Sequence, residues 1–249
     1  MKNKLNKKVI AIIAAVAVAG IAVVICIVSL AGKNGTGDEP TNVVSGEATQ
    51  EDSSEKKLQI KDSGWTYVKS SYGGYISYGV EIYNPNGQYL AGFPTIKYTG
   101  KDENGTILFT YDDLVDYIYP KETIYHGSTF NVDEKPATLE ITIEAPSKKW
   151  ENAKSANYPK NNTQIVSNIS ERKDDDMRIY NGEIENTSDT NLDNDIIVVI
   201  FRKDGKIVGG SYTYSDGLDA GQKSTFTIYT DHVPDYDKYE VSARVGSIN

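Results

Sequence analysis

Short alternating apolar segments between turn residues, a repeat spaced by about 100 residues and one long uncharged run near the N-terminus together predict the fold class. It is all-β, with two tandem immunoglobulin-like β-sandwich domains after one N-terminal transmembrane helix. At 249 residues the chain is long enough for one or two domains with real cores. A single cysteine excludes an internal disulfide framework, a CxxC redox pair and a thiolate zinc site. The formal charge of −9, from 26 Lys+Arg against 35 Asp+Glu, argues against nucleic acid as a partner, because phosphate binding needs a concentrated basic surface.

Residues 1–8, with Lys2, Lys4, Lys7 and Lys8, read as a cytoplasmic tip. Residues 9–30 carry no charge, and only Gly20 and Ser29 fall outside the apolar set. As a helix this run extends ~33 Å at ~1.5 Å per residue, enough for a hydrocarbon core of ~30 Å. A lone span must be helical, since lipid offers no partner to a free backbone group. Lysines crowd the near side of the run, and Lys33 is the one basic residue in 31–50. That bias puts the N-terminus in the cytoplasm and everything beyond the run outside the cell, a single-pass cell-membrane topology. Ser29-Leu30-Ala31 fits a small-x-small cleavage site, but the run is longer than the ~7–15 apolar residues of a cleaved signal peptide, so an uncleaved signal anchor is expected. Ile25 precedes Cys26, so Cys26 reads as a lipid-facing apolar residue rather than a lipid-attachment site. Beyond residue 30 there remain 22 basic and 35 acidic residues, a net charge of −13.

Residues 31–61 are rich in Gly, Ser, Thr, Glu and Asp and lack aromatics, so they cannot bury enough apolar area to offset chain entropy. A disordered stalk is expected there, with a root-mean-square span of about 30 Å.

The first sandwich is assigned to residues 65–145. Ile76, Tyr78, Val80 and Ile82 alternate onto one face, and Asn84-Pro85-Asn86-Gly87 ends that strand with four turn formers. Residues 95–99 form the next strand, and Asp102-Glu103-Asn104-Gly105 turns it into a hairpin partner at residues 106–109. Residues 112–117 read as a single helical turn, and Leu139, Ile141 and Ile143 mark a later strand.

The second sandwich, residues 165–249, repeats this plan. Tyr78-Gly79-Val80-Glu81-Ile82-Tyr83-Asn84 corresponds to Tyr180-Asn181-Gly182-Glu183-Ile184-Glu185-Asn186 at an offset of 102 residues. Asn104-Gly105-Thr106-Ile107 returns as Asp204-Gly205-Lys206-Ile207, and Leu139-Glu140-Ile141 as Tyr239-Glu240-Val241, both at an offset of 100. Between the copies lies a linker, residues 146–163, with Lys148, Lys149, Lys154 and Lys160 against Glu151; Trp150 is a candidate to pack at the junction.

Gly182-Glu183-Ile184-Glu185-Asn186-Thr187-Ser188, the β-branched run at 196–201, and Asp204-Gly205-Lys206-Ile207-Val208-Gly209 together resemble an FxLYD-type domain. The resemblance covers most of residues 177–245 and departs at Phe201-Arg202-Lys203-Asp204, where the family has an aromatic-acidic pair. The first copy is more distant, with Asn84-Pro85-Asn86 in place of the Asn-Thr-Ser turn. It implies a small immunoglobulin-like sandwich outside the membrane of Gram-positive bacteria, and it brings no catalytic residues.

No residue is assigned a catalytic, cofactor-binding or metal-ligating role. His126 and His232 sit beside turn formers and read as surface loop residues, and no Gly-x-Ser-x-Gly elbow or phosphate loop is present. Asp174-Asp175-Asp176 and Asp189, Asp193 and Asp195 lack the EF-hand spacing and read as solvated loops. Candidates for a Lys–Asn isopeptide staple are too many to choose among. The 18 Tyr against 5 Phe are informative, and Tyr72, Tyr75, Tyr83, Tyr212 and Tyr214 fall where alternation or nearby glycines suggest exposure. The expected function is a non-enzymatic, membrane-anchored surface protein, spacing at the envelope or binding an extracellular protein or glycan. The alternative is an accessory or sensor subunit of a membrane complex. A hydrolase ranks last, for want of His and Cys chemistry.

Overall fold

The computed structural model describes residues 55–71, 73–144, 150–154, 163–174 and 177–246, which belong to one compact unit. The tip, the apolar run, most of the stalk and most of the linker lie outside the described residues, and no described helix is long and apolar enough to cross a membrane. The first half contributes β1 (Gln59–Ser70), β2 (Gly73–Tyr83), β3 (Tyr89–Gly92), β4 (Thr95–Lys101), β5 (Ile107–Leu114), β6 (Tyr117–Ile118), β7 (Thr123–Val132), β8 (Thr138–Ile143) and β9 (Glu151–Asn152). The second half contributes β10 (Gln164–Asp174), β11 (Met177–Asn186), β12 (Leu192–Lys203), β13 (Lys206–Leu218), β14 (Lys223–Thr230) and β15 (Lys238–Val245).

The described residues are all-β, arranged as small antiparallel sheets. Sheet β1-β2-β7 shares a core with sheet β5-β4-β8, and a minor sheet β6-β3-β9 closes one side. In the second half β10-β11-β14 shares a core with β13-β12-β15, the same order one repeat later. Ile76, Tyr78, Val80 and Ile82 meet Ile96 and Tyr98 in the first core; Tyr180 and Ile184 meet Ile197, Val199 and Phe201 in the second. Each pair of sheets thus buries facing stripes of alternate residues, as in a β-sandwich.

A buried asparagine anchors the repeat. Asn84, directly after β2, and Asn186, the last residue of the equivalent strand β11, are both fully buried. Asn84 Nδ2 donates to the carbonyls of Tyr89 and Ile118, and Asn186 Nδ2 to those of Thr190, Leu218 and Asp219. Their backbone carbonyls accept from the amides of Lys121 (2.9 Å) and Gly221 (3.0 Å). Glu122 and Gln222 close both turns, accepting from the amides of Tyr119 and Asp219.

Two expectations are corrected. The helical turn at residues 112–117 does not form, because β5 pairs with β4 as far as Thr95↔Leu114 and residues 117–118 form β6. Ladder pairing on a sheet outweighs the weak local helix signal. The end of the stalk is also structured: β1 starts at Gln59, since Leu58 and Ile60 reach the first core. Trp150 packs against that core as well.

The halves dock face to face. Gly64, Gly79 and Gly127 stand in one register row across β1, β2 and β7. Against this row lies β13, with Gly209 and Gly210. A Cβ on Gly79 would meet Ile207 Cγ2 at 2.8 Å and the Gly209 carbonyl at 2.9 Å, and one on Gly127 would meet Gly210 Cα at 3.0 Å. The backbones therefore approach closer than side chains permit. Thr66 Oγ1 donates to the Val208 carbonyl (2.8 Å), Arg202 pairs with Asp62 (2.8 Å), and Tyr75 stacks on His232.

Candidate functional site

Where β5, β7, β12, β13 and β15 meet, the docked halves enclose a cavity of about 50 Å³, room for one or two water-sized groups. Its polar lining comes from both halves: Asp113, Asp116 and His126 from the first, Arg244 from the second. Ile196 and Val198 supply an apolar wall, and Leu114, Tyr212 and Tyr214 form an exposed rim.

Local pattern explains each placement. On β7 the even-numbered positions face the first core, so Ile124, Phe130 and Val132 are buried and His126 is carried in with them. His126 Nε2 lies 2.7 Å from Asp113 Oδ2, and the hydroxyl of Tyr78 donates to the same oxygen. Burial pushes the Asp113 carboxyl up, but His126 and the Tyr78 hydroxyl outweigh it and hold the group below its ordinary value. Burial, aided by the neighbouring Tyr98 and Asp113, raises the Tyr78 phenol far above its usual range, so it remains a donor.

Arg244 lies in one cross-strand row with Ile196 and Tyr214, on the face of its sheet turned toward the first half. Its side chain is 6% exposed; Nη1 reaches Asp116 Oδ2 at 3.2 Å, while Nε has no hydrogen-bond partner among the described residues. Leu114 (56% exposed) and Tyr214 (62%) stand at the mouth, with Tyr212 set edge-on to Tyr214 at 5.4 Å between ring centres.

His126 and His232, expected on surface loops, are both largely covered. His126 sits on a strand with Asp113, because alternation rather than the adjacent Gly127 decides its environment. His232 is in a bend and stacks on Tyr75, which takes that tyrosine off the list of free ones. Tyr212 and Tyr214 are exposed as expected, Tyr83 is half-buried under Lys61, and Tyr72 lies outside the described residues. Asp175 and Asp176 also lie outside the described residues. Asp189 and Asp193 are exposed, whereas Asp195 is buried and accepts from Gln164 Nε2. Burial raises the Asp195 carboxyl against the hydrogen bonds from Gln164 and Ser215. Among the described residues no group of three or more His, Cys, Asp or Glu is placed to hold a metal ion. The buried amides of Asn84 and Asn186 donate to backbone carbonyls, and that of Asn86 to the Lys56 carbonyl and to Asn84 Oδ1.

No protein-family model matches the chain, and no curated protein matches it in sequence. The cavity's chemistry therefore stands on its own geometry. Its lining has no Ser, Thr or Cys, and the hydroxyl bonded to the Asp113–His126 pair is the Tyr78 phenol, which burial keeps protonated. The arrangement offers fixed donors and acceptors below an apolar rim, which suits recognition.

Asp113, Asp116 and Arg244 were not legible in the sequence: Arg244 alternates with Ser242 on the face opposite Val241, Ala243 and Val245, where a solvated residue is the ordinary expectation.

Proposed function

We propose that this chain is a membrane-anchored, extracytoplasmic surface protein with two immunoglobulin-like modules of FxLYD type, and that it binds a partner at the cell envelope without catalysing a reaction. The charge-free run at residues 9–30 supports the anchor and the single-pass topology, with the N-terminus in the cytoplasm. The repeated sheet order and the paired Asn84 and Asn186 turns support tandem modules of one ancestry.

The observation that carries the binding role is the exposed Leu114, Tyr212 and Tyr214 rim around a cavity built by both modules. Exposed apolar residues grouped at a concave site on a rigid frame mark interaction surfaces more often than chance placement does. A photo-crosslinking residue at position 214 of the full-length protein in intact cells tests the reading. Capture of an envelope component is expected, absent from a control at exposed Ile165 on β10. Equal labelling at both positions, or release of the full-length protein from membranes by alkaline carbonate, would refute the proposal.

A further inference from the structure

We propose that the junction cavity binds a neutral saccharide, with one ligand hydroxyl beside Arg244 and the two carboxylates and the sugar ring resting on Tyr212 and Tyr214. This rests on the binding role above and specifies its ligand class.

The Arg244 guanidinium sets the first requirement: it lines the cavity and carries more N–H donors than its contact from Nη1 to Asp116 uses, so it favours an acceptor from whatever enters. The carboxylates of Asp113 and Asp116 set the second, since both offer acceptor lone pairs and repel anions. A ligand carboxylate would satisfy Arg244 and be repelled by two acids. An ammonium would satisfy the acids and leave the guanidinium N–H facing a cation. A hydroxyl accepts from the guanidinium and donates to a carboxylate at once, and it carries no charge into the site.

Size and rim complete the fit. A cavity of about 50 Å³ admits a hydroxyl or hydroxymethyl group and excludes a ring. The ring must then lie outside, where Tyr212 and Tyr214 present one face and one edge at 89° to each other. Tyrosine suits the C–H and O–H faces of a sugar, being apolar across the ring and polar at its tip. The register keeps these parts together, because Tyr214, Ile196 and Arg244 occupy one row across three adjacent strands. Adjacent strands lie about 4.8 Å apart, so Tyr214 and Arg244, two spacings apart, stand about 10 Å from each other, a gap for one ring and its hydroxymethyl arm.

The test uses the full-length protein in lipid nanodiscs, titrated calorimetrically with cellotetraose, chitotetraose and maltotetraose, and with a tetrauronate as the charged control. Binding of at least one neutral oligomer is expected, with little or none of the uronate. Tyr214→Ala, at an exposed position, should weaken that binding about tenfold and leave the melting temperature unchanged. Arg244→Gln should weaken it further; where its melting temperature falls, Tyr214→Ala remains the deciding variant. Three results each overturn the proposal: no neutral oligomer binds, the uronate binds more tightly, or Tyr214→Ala binds like the unaltered protein. Capture of a protein from position 214 in cells, with no saccharide bound, would overturn the saccharide while leaving the binding role intact. Failure of both experiments would remove both.

Discussion

Asn186 shows how much one side chain can hold. Its amide donates to three carbonyls from two separate loops, and its Oδ1 accepts from the Ser188 amide and hydroxyl. Asn186→Ala leaves those buried groups unpaired, at a cost of about 3 kcal/mol, readable as a lower urea midpoint at constant m-value. A loss below ~1 kcal/mol would mean that water replaces the amide. The motif around Asn186 was legible as a turn, but its burial was not, because turn propensity describes a backbone path and says nothing of what covers it. Asp113 carries a pH signature. Its folded pKa lies below the ordinary carboxylate value, so its stabilisation is complete above the unfolded value of about 3.9 and is lost as acid passes through the folded one. The stability gap between the unaltered protein and Asp113→Asn should therefore be about 1–3 kcal/mol at pH 7 and close below about pH 4. A gap that stays constant into acid would show that Asp113 acts through shape rather than charge.

At the scale of elements, β12 and β13 explain what the alternation of the chain could and could not reveal. Ile196 to Phe201 is a continuous apolar run, where a strand with one wet face would alternate. In the structure Ile197, Val199 and Phe201 enter the second core, while Ile196, Val198 and Ile200 form a separate cluster with Ile207 against Tyr125 of β7. The run itself thus announced that both faces are covered, though not by what. The hairpin that follows was fully legible. Asp204-Gly205 is a two-residue turn between the paired Lys203 and Lys206, with φ of 51° and 77°, the geometry for which Asp-Gly is favoured. The first copy keeps Gly105 at φ 82° in a longer loop closed by Asp102. The glycines of the docking face were not legible, since Gly64, Gly79 and Gly127 meet only once the strands are in register. Gly127→Val places a branched side chain on Gly210 and should destabilise the protein by about 3 kcal/mol or more by overpacking. Gly87→Val, where a Cβ meets nothing within 4 Å, is the control and should differ by less than ~1 kcal/mol in the same urea titration.

For the whole molecule, the repeat predicts two tandem modules joined by a basic linker, and the described residues of both belong to one compact body. Docking uses the outer face of β1-β2-β7 and the strand β13, so each half covers apolar surface that the other would otherwise expose. Ile200 and Ile207 are almost completely buried only because the first half lies over them. Two halves that share buried strands should unfold together, since separating them exposes those residues to water without releasing much chain entropy. Trp65 and Trp150 both pack on the first core, so tryptophan fluorescence follows the first half alone, while far-ultraviolet circular dichroism follows both. The two probes should give coincident urea transitions for the unaltered protein. Gly209→Val, whose side chain would strike Ser77 and Pro234, should split them, because it breaks the docking face while leaving each internal core composed as before. Separate transitions in the unaltered protein would mean that the face is a contact of convenience, and the junction cavity would then lack the fixed geometry that binding by both halves requires.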